Sequence, residues 1–149
     1  MPGNKLKMTS VILMAYGVGD ILVGLAMLAA SVLAKEEIAM MLESYQGLFG
    51  FMEGSVVLIL LAVMYFMMAL LDMLAGIRGF RFSDGKGSIR LCQMPAVALI
   101  VIYGIDTLFK VIAGNLSNAI SPLLHVVVAV LCIVFCKKVE EENKTRGIR

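Results

Sequence analysis

The sequence has no tryptophan, a single histidine, three prolines and three cysteines, and only 16% of its 149 residues are charged. Each shortage excludes something. Without Trp, the aromatic belts that anchor a protein at the membrane–water interface must come from Tyr16, Tyr45, Tyr65 and the phenylalanines. One histidine is too few for a typical zinc site, and no row of Ser, His and Asp or of Cys and His supports nucleophilic catalysis. Cys92, Cys132 and Cys136 are odd in number and lack CxxC or zinc-ribbon spacing. Cys132 and Cys136 share a helical face with His125, which lies about two turns away. Cys92 and Cys136 fall near the cytoplasmic ends of their segments, where thiols stay reduced. The twelve methionines are scattered and fit adaptable packing better than a copper cluster. No metal, cofactor or nucleic-acid partner is expected. The chain is too short for a soluble catalytic domain beside a membrane part, so a non-enzymatic protein is expected.

Apolar residues are abundant, at 60% of the chain with a mean hydropathy of +0.94, where soluble domains carry about 45–50%. Spanning a bilayer takes about 20 apolar residues in a helix. Four segments qualify: residues 8–34, 55–77, 91–113 and 117–136. The start of the fourth is ambiguous. Either the helix begins at Ser117, with Pro122 inside its first turns, or Ser121 caps it and Pro122 is its first residue. The first segment reads as a retained helix rather than a signal peptide, because it far exceeds the usual 7–15 residue apolar core and contains Asp20.

Basic residues set the orientation. Lys5 and Lys7 precede the first span; Arg78, Arg81, Lys86 and Arg90 separate the second from the third; Lys137, Lys138, Lys144, Arg146 and Arg149 follow the fourth. Eleven of the thirteen therefore lie on one side, with Lys35 opposite and Lys110 inside the third span. The positive-inside rule then predicts a multi-pass protein of the cell membrane with both termini cytoplasmic. Between spans 1 and 2, Ile38, Met41, Leu42, Tyr45, Leu48, Phe49 and Met52 recur with helical period, predicting a short amphipathic interfacial helix over about 36–52. The whole reads as a single membrane domain over 1–149: an all-α, antiparallel four-helix bundle with that interfacial helix and a cytoplasmic tail at 137–149. The run Gly85-Lys86-Gly87-Ser88 lacks the spacing and strand–loop–helix context of a phosphate loop. The basic loop instead suits anionic lipid headgroups at Arg78, Arg81, Lys86 and Arg90.

Ionisable groups inside a span cost on the order of 2.5–3.5 kcal/mol each on insertion scales, so they should face the bundle interior and be partnered. The chain has Asp20, Asp72, Asp106, Lys110 and His125. Counting about 1.5 Å per residue from the cytoplasmic ends places Asp72 at ~8 Å, Asp20 and His125 at ~17 Å, Asp106 at ~22 Å and Lys110 at ~28 Å. Asp106 and Lys110 stand at i, i+4 with the acid first, the favourable order. Asp20 and His125 share a depth and are expected to pair. Gly17, Asp20 and Gly24 lie at i, i+3, i+7, and Ala69, Asp72 and Gly76 repeat the spacing, putting each carboxyl on a stripe of small residues that permits close helix packing. A short repeat is also visible: Tyr16-Gly17 precedes Asp20, and Tyr103-Gly104 precedes Asp106. Two functional readings follow. The first is helix association, as a homo-oligomer or as an accessory subunit of another membrane assembly. The second is a small proton- or cation-coupled transporter or channel using the intramembrane carboxylates and His125.

Overall fold

The computed structural model describes residues 1–33, 54–112, 114 and 116–145. Four helices carry these residues: α1 (Pro2–Leu33), α2 (Gly54–Ser83), α3 (Ile89–Ile112) and α4 (Leu116–Thr145). Each is long and apolar enough to cross a membrane, and the fold is an all-α four-helix bundle of a multi-pass membrane protein. The interfacial helix expected over 36–52 lies outside the described residues.

The helix ends differ from those read off hydropathy, because hydropathy marks the membrane edge and not the end of the backbone ladder. α1 begins at Pro2, whose missing N–H costs nothing at a first helical position. Its polar first turns are held by Lys7, which pairs with Asp84 at 2.6 Å and sits 5.4 Å from the centre of the Phe80 ring. α2 runs to Ser83 rather than 77 and closes with a glycine cap. Lys86 N–H donates to Arg81 O (2.9 Å), Gly85 N–H donates to Phe82 O (3.0 Å), and Gly85 takes φ +76°, a conformation that a side chain would strain. Ser88 then caps α3, its Oγ accepting from Leu91 N–H at 3.4 Å. The tail expected at 137–149 continues α4 as helix to Thr145, with a Glu140–Lys144 pair at 3.2 Å.

Two prolines sit inside helices. The Ser121 cap is not formed, since α4 starts at Leu116 and takes Pro122 into its interior. In α3, Pro95 has no N–H to offer the carbonyl of Leu91, four residues back. Arg78 reaches over from α2 and donates from Nη1 to that carbonyl at 3.4 Å.

The described chain divides into two compact units, Met1–Gly17 with Leu70–Arg149, and Val18–Ala69. In the first, contacts set the helix directions. Gly3 lies near Ser83, and Gly76 lies against Ser10 and Met14, so α1 and α2 run antiparallel. Cys92 meets Cys136 and Tyr103 meets His125, so α3 and α4 do too. The interior of this unit combines small and polar side chains, Ala75, Ala96, Ala119, Ala129, Ser10 and Asp72, with the leucines Leu6, Leu13 and Leu99, all of them buried. Large apolar residues such as Met94, Leu108 and Phe109 point outward. That distribution suits lipid, where apolar side chains gain nothing by hiding and helices are joined by close packing and hydrogen bonds. The second unit repeats the theme with buried Ala62 and Ala69, and with Gly24, where a Cβ would stand 3.0 Å from the Phe66 ring.

Candidate functional site: a buried histidine between two tyrosines

Within the larger unit, α1, α2, α3 and α4 each send one side chain to a common polar cluster. Tyr103 Oη donates to Asp72 Oδ2 at 3.1 Å, and both residues are buried. His125 is held between two aromatic rings. Tyr16 stacks on it at 3.9 Å between centroids and Tyr103 at 4.3 Å, with interplanar angles of 31° and 30°. His125 Nδ1 lies 2.9 Å from the carbonyl oxygen of Ser121, one turn earlier on α4. That oxygen can only accept, so Nδ1 carries the proton and donates to it. In the neutral ring Nε2 is then a lone-pair acceptor, and this atom is buried with no hydrogen-bond partner among the described residues. The cluster thus combines a carboxylate, a phenol hydrogen-bonded to it, and an imidazole stacked on the phenol ring. These groups can hold a proton or orient a polar group, and all three sit away from the outer surface of the bundle.

The remaining ionisable residues singled out from sequence are Asp20, Asp106 and Lys110. Asp106 and Lys110 form an ion pair at 2.6 Å near the end of α3, with side chains 35% and 34% exposed. Asp20 is buried and belongs to the second unit. Asp72 on α2 stands level with Tyr103 on α3, which donates to it.

The small-residue stripes are used unequally. A Cβ at Gly76 would lie 2.5 Å from Met14 Cγ, 2.7 Å from the Ser10 carbonyl oxygen and 3.1 Å from the Met14 nitrogen, so α1 and α2 touch there through backbone. Gly17, Ala69 and Gly24 are buried or in contact as described, Gly17 at the end of the first unit and the other two in the second.

Sequence reasoning missed the two tyrosines as site residues. The repeat supplied the signal, since its two tyrosines, Tyr16 and Tyr103, are the ones that enclose His125. It also missed Ser10 and Gly79. Ser10 Oγ is buried without a hydrogen-bond partner among the described residues, and a Cβ on Gly79 would stand 2.5 Å from it. The cysteines expected to be separate thiols are gathered at the end of the unit that carries the basic residues. Cys92 Sγ and Cys136 Sγ meet as a disulfide, and Cys132 is a buried free thiol beside them.

Compared with protein-family models, curated proteins and solved structures, the chain matches none.

Proposed function

We propose that this is a non-enzymatic membrane protein of the cell membrane that works through association of its helices, as a homo-oligomer or as an accessory subunit of another membrane assembly, with both termini cytoplasmic. The observation that carries this reading is the Asp106–Lys110 pair, about one-third exposed on a helix whose exposed side chains are apolar from Leu91 onward. Phe109, one turn from Asp106, is 64% exposed beside it. Charges at membrane depth are costly when they face lipid, and a second helix laid over the pair would lower that cost. The basic loop adds a lipid contact. Arg78, Arg81, Lys86 and Ser88 line a recess of about 300 Å³, and anionic headgroups suit its charge. Native mass spectrometry from lipid nanodiscs, with cross-linking in membranes, tests association. A dimer, larger oligomer or stoichiometric membrane partner is expected, weakened by Asp106→Asn; a strictly monomeric, partner-free protein contradicts it.

A second reading is favoured by His125. A buried imidazole with an open Nε2, stacked on a tyrosine that is bonded to a carboxylate, has the parts of a proton relay in a proton- or cation-coupled transporter. Proton or cation flux in liposomes, compared with Asp72→Asn and Asp20→Asn, decides it. Absence of flux from wild type under every gradient ends this reading.

A further inference from the structure

From the three-cysteine cluster we infer a second, separate property: in its reduced form the protein binds one Cu(I) ion through Cys92, Cys132 and Cys136. Cys132 and Cys136 stand at i, i+4 on α4, and Cys92 enters from the antiparallel α3. Their three sulfurs all lie within 4.8 Å of one another, and all three residues are buried to 1% exposure or less. A metal–thiolate bond of about 2.3 Å puts sulfurs about 4 Å apart around a trigonal ion, so little movement is needed to close the site. The Cα atoms of Cys92 and Cys136 are 7.1 Å apart, beyond the usual span of roughly 4.4–6.8 Å between disulfide partners, and a bridging ion accommodates that wider spacing.

The ligand set selects the ion. Three soft sulfurs and no further Asp, Glu, His or Cys in the group, among the described residues, leave a tetrahedral zinc site one donor short. Cu(I) is satisfied by thiolates alone and is the soft choice. Each bound thiol must release its proton to solvent, so the buried sulfurs hold the ion as thiolates. Polarity nearby supports a charged occupant. Gly79 passes so close that a Cβ there would be 3.5 Å from Cys132 Sγ and 2.5 Å from Ser10 Oγ. The Ser10 hydroxyl is fully buried and has no hydrogen-bond partner among the described residues, leaving its proton available to a thiolate. The pair Cys92–Cys136 must first be opened. A phosphine does this by supplying two electrons to the S–S bond. Water provides the two protons that convert the sulfurs to thiols and the oxygen that converts the phosphine to its oxide.

The test uses the full chain in detergent, reduced with a phosphine under nitrogen, and Cu(I) presented against a chromophoric Cu(I) chelator. One Cu(I) per chain is expected. X-ray absorption at the copper edge should show three sulfur neighbours at about 2.3 Å. Replacing any one of the three with serine should weaken binding by more than about 100-fold, since losing a ligand exceeds the 10–100-fold effect of losing an outer-shell partner. The absorption spectrum of wild type reads the ligands directly, so the inference stays testable if a serine variant misfolds. Copper held with unchanged affinity by all three variants would place it on methionines and overturn the inference. So would sub-stoichiometric binding, tighter binding of Zn(II) than of Cu(I), or a Cys92–Cys136 bond that survives the phosphine.

Discussion

Gly76→Ala is the sharpest probe of how α1 and α2 meet. The added methyl would stand 2.5 Å from Met14 Cγ and 2.7 Å from the Ser10 carbonyl oxygen. Ordinary carbon contacts are about 3.5–4.0 Å, so roughly 1 Å must open at each. Met14 can swing its side chain away, but the Ser10 carbonyl and the Met14 nitrogen, 3.1 Å from the methyl, belong to the α1 backbone. The helix itself must shift. Overpacking of this kind costs about 1–3 kcal/mol, and the better helix propensity of alanine returns up to about 1 kcal/mol at any helical glycine, so Gly76→Ala should fall about 1–3 kcal/mol below Gly104→Ala. Gly104→Ala is the matched control, because a methyl there meets nothing within 4 Å and should leave stability unchanged or slightly raised. Reversible unfolding of both variants in mixed micelles, followed by circular dichroism as the denaturing detergent fraction rises, gives the two differences. Gly76→Ala as stable as wild type, with Gly104→Ala behaving likewise, would refute the close backbone contact.

Three further outcomes follow from the same packing. Tyr103→Phe removes the hydrogen bond to Asp72 Oδ2 and should cost about 0.6–2 kcal/mol in the same assay, with little change in helicity. Lys110→Met together with Asp106→Asn should change the stability of the isolated chain by less than about 1 kcal/mol, because the pair is partly exposed, yet shift the oligomer distribution in nanodiscs. Pro95→Ala gives Leu91 O its own helical donor, so hydrogen exchange at residue 95 should become protected, and Arg78→Met should then be better tolerated than in wild type.

The four spans were legible because each is an apolar run of the right length, a property that composition alone reports. Their ends were not. Pro2, Ser83 and Thr145 lie beyond the apolar runs, in polar turns that stay helical through the Lys7–Asp84 pair, the Gly85 cap and the Glu140–Lys144 pair. Pro122 was open to misreading, since proline is equally at home in the first turn of a helix and a few residues further in when the lost bond is near an end. In the site, Asp72 and His125 stood out as ionisable groups in apolar surroundings. Tyr16 and Tyr103 did not, because a tyrosine in a membrane helix counts as apolar until its hydroxyl or ring is seen to have a partner. The cysteine cluster was half visible. Spacing joins Cys132 to Cys136, but Cys92 comes from another helix, and only the antiparallel register of α3 and α4 brings it there.

The central claim, a four-span bundle with both ends on the cytoplasmic side, is tested most directly by topology reporters. Alkaline phosphatase and green fluorescent protein are fused in turn after residues 34, 86, 114 and 149. Phosphatase activity only at 34 and 114, with fluorescence only at 86 and 149, is the predicted pattern. Phosphatase activity at 149, or fluorescence at 34, would contradict it.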